Sequence, residues 1–346
     1  MEKEKLHEFI HRMPKVELHV HLEGSTRPAT LLQLAEKNDV ALPVSTLAEI
    51  EEWYKFTGFD HFLEVYFMIC DCIKTTDDFE LIMEEFLKGQ AEQNIRYSEV
   101  IFTPYTHLKN SPFEEQLAAM NRARAKMKAQ YGIEAGLIPD ISREMRPVAD
   151  SMLVAEWAAA NQENGIIALG LGGPEVGNPP ELYEAVFARA LQLGLRSLPH
   201  AGETEGPASV WGTINSLRAD RIGHGVRCLE DPALVEYLVK HQLPLDVCPT
   251  SNICLGVFPS IEEHPLPELM NQGLLVTLNS DDPPMFNTTL TQEYHKAVDV
   301  FGFGLPEVKQ LVLNGIQASL LPYDRKTQLL SSFLFEFEML EKVLSR

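Results

Sequence analysis

The sequence predicts one α/β domain folded as a (β/α)8 TIM barrel, with a helical insertion after the first strand. Three observations lead there. Eight short, apolar, β-branched runs recur along the 346 residues. Amphipathic helical patterns separate most of them. Four histidines and an Asp-Asp pair fall at the ends of these runs, where a barrel assembles its site.

The candidate strands cover 16–22, 95–103, 133–138, 165–171, 195–200, 221–224, 243–248 and 274–279. Helix starts are legible between them. Pro28 opens 28–35, Pro180 opens a helix running to Leu193 and ended by Gly194, and Asp231-Pro232 opens one running to His241. Such alternation predicts a parallel sheet, and a closed barrel is the economical arrangement of eight units. An open doubly wound sheet is the competing arrangement. No G-x-G-x-x-G follows the first strand, which weakens a dinucleotide-binding version of it. Residues 40–94 break the rhythm and read as two or three helices, including 62–67 and 79–87. Loops after barrel strands face the active site, so this insertion is either a lid or helical padding. No repeat or linker divides the chain, and the domain is taken as 1–346.

Composition narrows the partners. The net charge of -21 repels phosphates and anionic lipid, so nucleic acid and membrane binding are not expected. Hydrophobic residues make up 45%, enough to bury a core without disulfide staples. The five cysteines are odd in number. Neither Cys70 with Cys72 nor Cys248 with Cys254 forms a C-x-x-C, so reduced, buried thiols are expected. No apolar run reaches the roughly 18 residues of a membrane helix. Residues 1–5 are polar and lack a signal-peptide core, and a cytoplasmic protein is expected.

Histidine placement carries the chemistry. His19 and His21 stand two apart on a strand, so both imidazoles point to one face. His200 ends the fifth strand, His224 the sixth, and Asp281 and Asp282 the eighth, which lies beside the first once a barrel closes. A lone histidine is more often a hydrogen-bonded core residue. This constellation makes that explanation hard to sustain. Three imidazoles and a carboxylate suit Zn2+, whereas magnesium or calcium would ask for more oxygen ligands. Glu203, in His200-Ala201-Gly202-Glu203, is either an acid aimed into the pocket or an exposed loop carboxylate. His7, His107 and His264 read as surface or helix residues without a role.

Four strings occur in an order that resembles the adenosine deaminase family of metal-dependent amidohydrolase barrels. They are Leu18-His19-Val20-His21-Leu22-Glu23-Gly24, His200-Ala201-Gly202-Glu203, Ile222-Gly223-His224-Gly225 and Ser280-Asp281-Asp282-Pro283. Gly172-Gly173-Pro174-Glu175 and Cys248-Pro249-Thr250-Ser251-Asn252 are further similar stretches. Each string is short, but the ordered set, from about Met13 to Tyr294, is specific. The resemblance implies that His19, His21, His200 and Asp281 bind one zinc ion per chain. It implies that Glu203 protonates N1 of a purine as C6 is attacked, and that His224 orients or deprotonates the attacking water. Asp282 would bond N7, the N–H of Gly173 would meet N3, and His21 would also border the substrate. The fourth strand ends without the lysine that bridges two metals in many amidohydrolases, so a single metal is expected.

Glu23 departs from the pattern. Many adenosine deaminases have Asp there, contacting the ribose 5′-hydroxyl; Glu23, one methylene longer, is expected to border the substrate with that contact crowded or re-aimed. The expected activity is hydrolytic deamination at C6 of an adenine-type compound. Adenosine or 2′-deoxyadenosine ranks first, followed by aminodeoxyfutalosine and then free adenine. Arg143 and the aromatics Trp53, Phe56, Phe59, Phe62 and Tyr66 either shape the far end of the pocket or, for the aromatics, pack in the core. A zinc amidohydrolase of other amides, lactones or phosphoesters is the alternative class. A binding protein with a retired site is the remaining one, and the presence of every ligand and acid argues against it.

Overall fold

The computed structural model describes residues 2–145 and 148–345. All eight expected strands form: β1 (Lys15–His21), β2 (Ile95–Phe102), β3 (Glu134–Ser142), β4 (Ala168–Gly172), β5 (Arg196–Ala201), β6 (Ile222–His224), β7 (Leu245–Val247) and β8 (Val276–Leu278). They follow one another in sequence order, and every neighbouring pair is parallel. Parallel strands are covered on both faces, which is why they read as nearly continuous apolar runs.

The seam between β8 and β1 is closed by side chain and loop, not by a ladder. Asn279 Oδ1 accepts the N–H groups of Leu18 at 2.8 Å and His19 at 3.1 Å. Asp281 then bridges to β1, donating its N–H to His19 O at 3.2 Å and accepting that of His21 at 2.9 Å. This closure excludes the open sheet and sets Asp281 against the two histidines of β1.

The legible helix starts hold. Pro28–Lys37 carries proline at its first turn, and Asp231 caps Pro232–His241 by accepting the Ala233 N–H at 2.9 Å. The segment from Pro180 begins as a 3-10 turn and becomes α-helical at Glu184–Gln192. The insertion holds three helices, Leu47–Trp53, Phe59–Cys72 and Thr76–Glu92. The last packs on β2 and on the helix Phe113–Tyr131, as an ordinary barrel helix does. The middle one reaches the mouth of the barrel. Trp53 and Phe56 pack against the core, whereas Phe59, Phe62 and Tyr66 also wall a cavity.

The barrel interior combines a small apolar layer of Ile101, Ile138, Ala168 and Leu198 with a charged one. Arg221, fully buried, bonds Asp246 at 2.5 Å and Glu99 at 2.6 Å. Its remaining donors reach Ala318 O and Leu18 O. A buried guanidinium is tolerated only when paired and bonded in this way. All five cysteines are free thiols, four of them buried. Among the described residues no helix is long and apolar enough to cross a membrane.

Candidate active site

Five side chains converge at the C-terminal mouth. His21 Nε2 lies 3.3 Å from His200 Nε2. Asp281 Oδ1 lies 3.4 Å from His19 Nε2 and 3.3 Å from His21 Nε2. Zinc held by nitrogen and oxygen at about 2.0–2.1 Å in a tetrahedron separates its ligands by about 3.3–3.4 Å. The observed separations match that edge. His19 Nε2 is buried and has no hydrogen-bond partner, as a ligand atom awaiting a cation would be. His224 stands slightly further out, its Nε2 3.9 Å from Asp281 Oδ2.

The cluster is held from behind. His200 Nδ1 bonds Leu171 O at 2.9 Å, which turns its Nε2 inward. Ser251 donates to Asp281 Oδ2 at 2.7 Å. His19 Nδ1 faces Asp246 across 3.8 Å, and Asp246 is in turn fixed by Arg221 and Thr277. Both Asp281 (φ 65°) and His224 (φ 62°) adopt the left-handed conformation, a strain that non-glycine residues rarely accept away from functional sites.

The electrostatics of the cluster is mixed: burial would lower His19, but the Asp246 and Asp281 carboxylates outweigh it and raise the ring to about 9, so its proton must leave when a cation binds. Burial pushes His21 and His224 down to about 4, so their rings are neutral with a lone pair free. Burial opposes ionisation of Asp281, but the close approach of His19 and the other neighbouring imidazoles outweighs it and holds the carboxyl well below the usual carboxylate range. Outer carboxylates orient ligating imidazoles and tune metal affinity by about 10–100-fold. Asp246→Asn is therefore expected to weaken zinc affinity by about that factor, read by competition with a chromophoric chelator. Unchanged affinity would show that Asp246 serves only Arg221.

Beside the cluster lies a cavity of about 70 Å³, partly open to solvent, with room for several waters. Its polar lining includes Glu203, Asp282, Asp140, Ser142, Thr103 and Gly173. Glu203 Oε1, Asp282 Oδ1 and Asp140 Oδ1 are buried without partners, so the protein leaves three polar atoms for something else to satisfy. Burial raises all three carboxyls well above their ordinary range. For Glu203 the nearby charges of Asp281 and Glu175 add to it. Gly24 is required by close approach, since a Cβ there would lie 1.6 Å from Asp282 Oδ1.

A chain of hydrogen bonds assigns the His224 tautomer. The Leu266 N–H donates to His264 Nδ1 at 3.2 Å, so the neutral His264 carries its proton on Nε2. That proton goes to Asn252 Oδ1 at 3.1 Å. The Asn252 amide is then turned so that its NH2 meets His224 Nδ1 at 3.4 Å. Nδ1 accepts, and the ring proton of His224 sits on Nε2, 3.7 Å from Glu203 Oε1.

Four expectations change. Glu23 is fully buried and does not line the cavity. It accepts from the Thr103 N–H at 2.8 Å, bonds His107 at 3.2 Å and accepts from Tyr66 OH at 3.3 Å. These three bonds hold the carboxylate off the cavity. Arg143 lies behind the pocket, donating to His200 O at 2.7 Å and to Asn178 O at 2.5 Å. His107 and His264 are buried and bonded to Glu23 and Asn252, although they read as surface or helix residues without a role. Asp140 was missed, and its one signal was a carboxylate near the end of the third strand. Gly173, His21, Glu203, His224 and Asp282 line the cavity.

Comparison with known proteins agrees with this geometry. The Adenosine deaminase family profile matches residues 14–334. The chain is 38% identical over 320 residues to the aminodeoxyfutalosine deaminase of Streptomyces avermitilis, covering 91% of this chain and 89% of that one. It superposes on the adenine deaminase of Arthrobacter aurescens with a TM-score of 0.90 and 33% identity, covering 94% and 99%. An amidohydrolase from Burkhoderia ambifaria, solved with bound Zn, gives a TM-score of 0.91 at 27% identity, covering 99% and 95%. With this barrel and this His/Asp cluster, the chain belongs to the adenosine deaminase family and is a hydrolytic deaminase of adenine-type substrates.

Proposed function

We propose that this enzyme uses one zinc ion to remove the 6-amino group from an adenine nucleoside carrying an aryl 5′ substituent, of the aminodeoxyfutalosine class. One observation carries the reading. The cavity joins the polar His/Asp cluster to an apolar wall of Phe59, Phe62, Leu63, Phe67 and Leu255, and among the described residues no Lys or Arg lines it. Among the described residues a phosphate on the ribose would find no cation there, which argues against nucleotides. Glu23 is engaged elsewhere, so nothing in its position holds an unmodified 5′-hydroxyl or rejects a substituent. The 38% identity to an aminodeoxyfutalosine deaminase supports the same reading over adenosine, which the sequence ranked first.

The residues fit zinc in donor type and separation, with His19, His21, His200 and Asp281 as the ligands. When bound, zinc supplies Lewis-acid chemistry that lowers the pKa of a water toward about 7. Glu203, kept protonated by burial, delivers its proton to ring N1 as charge develops on the ring. Asp282, also held protonated, donates to N7, and the Gly173 N–H donates to N3. His224 presents Nε2–H, so it orients the attacking oxygen as a donor. The amino group leaves as ammonia.

Free adenine is the second reading, favoured by the small cavity and by the adenine deaminase fold match. A panel of aminodeoxyfutalosine, 5′-methylthioadenosine, adenosine, adenine and AMP, followed by ammonia release, separates them. A kcat/KM for 5′-modified nucleosides at least about tenfold above adenosine and adenine is expected, a difference of about 1.4 kcal/mol. Preference for adenine would transfer the function to the second reading. Equal turnover of AMP would overturn both.

A further inference from the structure

Glu175 stands outside the cavity, and the family resemblance gave it no role. Its buried carboxylate gathers an unusual set of donors. It accepts the N–H of Gly202 at 2.9 Å, Glu203 at 2.8 Å, Thr204 at 2.9 Å and Glu205 at 3.4 Å, together with the Ser209 hydroxyl. Four successive backbone N–H groups thus point at one carboxylate. They belong to the loop that leaves β5, and Gly202 turns that loop at φ 67°. The loop bends away from the sheet, so no ladder takes up these donors.

Glu175 is itself rigidly mounted. Asn178 donates its N–H to Glu175 O at 3.0 Å and its amide to Pro174 O at 3.0 Å, closing a tight turn. Arg143 donates both to Asn178 O and to His200 O, tying the loops after β3 and β4 to the end of β5. The same short segment carries Gly173, which lines the cavity. In a purine, N1 and N3 flank a single carbon. Their two protein partners must therefore keep a fixed separation.

We propose that Glu175 is a positioning residue, which holds the Glu203 loop at a set distance from Gly173 so that both reach one ring together. This rests on the reading of Glu203 as the proton donor. A simple structural tie would lower stability alone. A positioning role lowers the rate through Glu203 and through nothing else.

The test is a double-mutant cycle on the full-length, zinc-loaded enzyme. Glu175→Gln keeps the shape but turns an acceptor into a donor facing the loop N–H groups. Its kcat is expected to fall by about 10–100-fold, the penalty of a misplacement near 1 Å, with KM within about twofold and zinc content unchanged. In a Glu203→Gln background the same substitution should change the residual rate by less than about twofold. Equal losses in both backgrounds, full activity of Glu175→Gln, or loss of zinc would each overturn the proposal. If Glu175→Gln fails to fold, Ser209→Ala removes a single donor and enters the same cycle, where additive losses would again overturn it. Full activity of Glu203→Gln alone would instead remove the proton-donor reading, and the positioning role with it. The two failures are therefore distinguishable.

Discussion

Glu203→Gln is expected to lower kcat by about a thousandfold or more while leaving zinc content and fold unchanged. The side chain is nine-tenths or more buried, its Oε1 has no protein partner, and it borders the cavity beside His224. Burial, with the charges of Asp281 and Glu175, raises its carboxyl well above the ordinary range. The acid form therefore persists at neutral pH and holds a proton that a carboxamide cannot transfer. General acid catalysis contributes about 10²–10⁴-fold, which sets the size of the loss. The sign with pH follows. Activity needs the protonated form, so it declines as pH rises through the elevated pKa, and the Gln variant loses that alkaline limb. Stopped-assay ammonia release with parallel metal analysis reads both quantities. A variant with more than about a tenth of the wild-type rate would remove Glu203 from the chemistry.

His19→Ala should abolish zinc retention and, with it, turnover by about 10⁴-fold or more, as for groups that act as a unit. His19 Nε2 occupies one corner of the cluster, 3.4 Å from Asp281 Oδ1, and its ring stacks edge-on with His200 at 4.5 Å between centroids. The replacement nearest at hand is His224, whose Nε2 stands 3.9 Å from Asp281 Oδ2, further off than the 3.4 Å of His19. The barrel itself should survive, since Arg221 and Thr277 still bond Asp246. Metal analysis after dialysis against a mild chelator decides the matter. Stoichiometric zinc in the variant would exclude His19 as a ligand.

Function in this molecule was legible wherever chemistry follows strand periodicity. His19 and His21 announced a shared face because side chains alternate along a strand, and the structure brings their Nε2 atoms to one carboxylate oxygen. His200, His224 and Asp281 were legible because a barrel gathers strand ends at one mouth. Asp140 was not, because one aspartate near a strand end looks the same whether it bonds a turn or faces a cavity. The insertion was legible as helical, but not as a split between an ordinary barrel helix and a cavity wall. That split depends on which neighbour each face meets.

By itself the sequence determined the alternation of eight strands and helices, the donor types at the strand ends, and hence the reaction class. These depend on local periodicity and on residue chemistry, both written in the chain. Only the tertiary structure decided where Glu23 points, which tautomer His224 adopts, and what the Glu175 carboxylate holds. Each of these is a hydrogen bond between segments far apart in sequence. Thr103 and His107 are 80 and 84 residues from Glu23, and Glu203 is 28 from Glu175. Buried polar groups must find partners within the packed interior, and the packing of distant loops selects which partners are in reach.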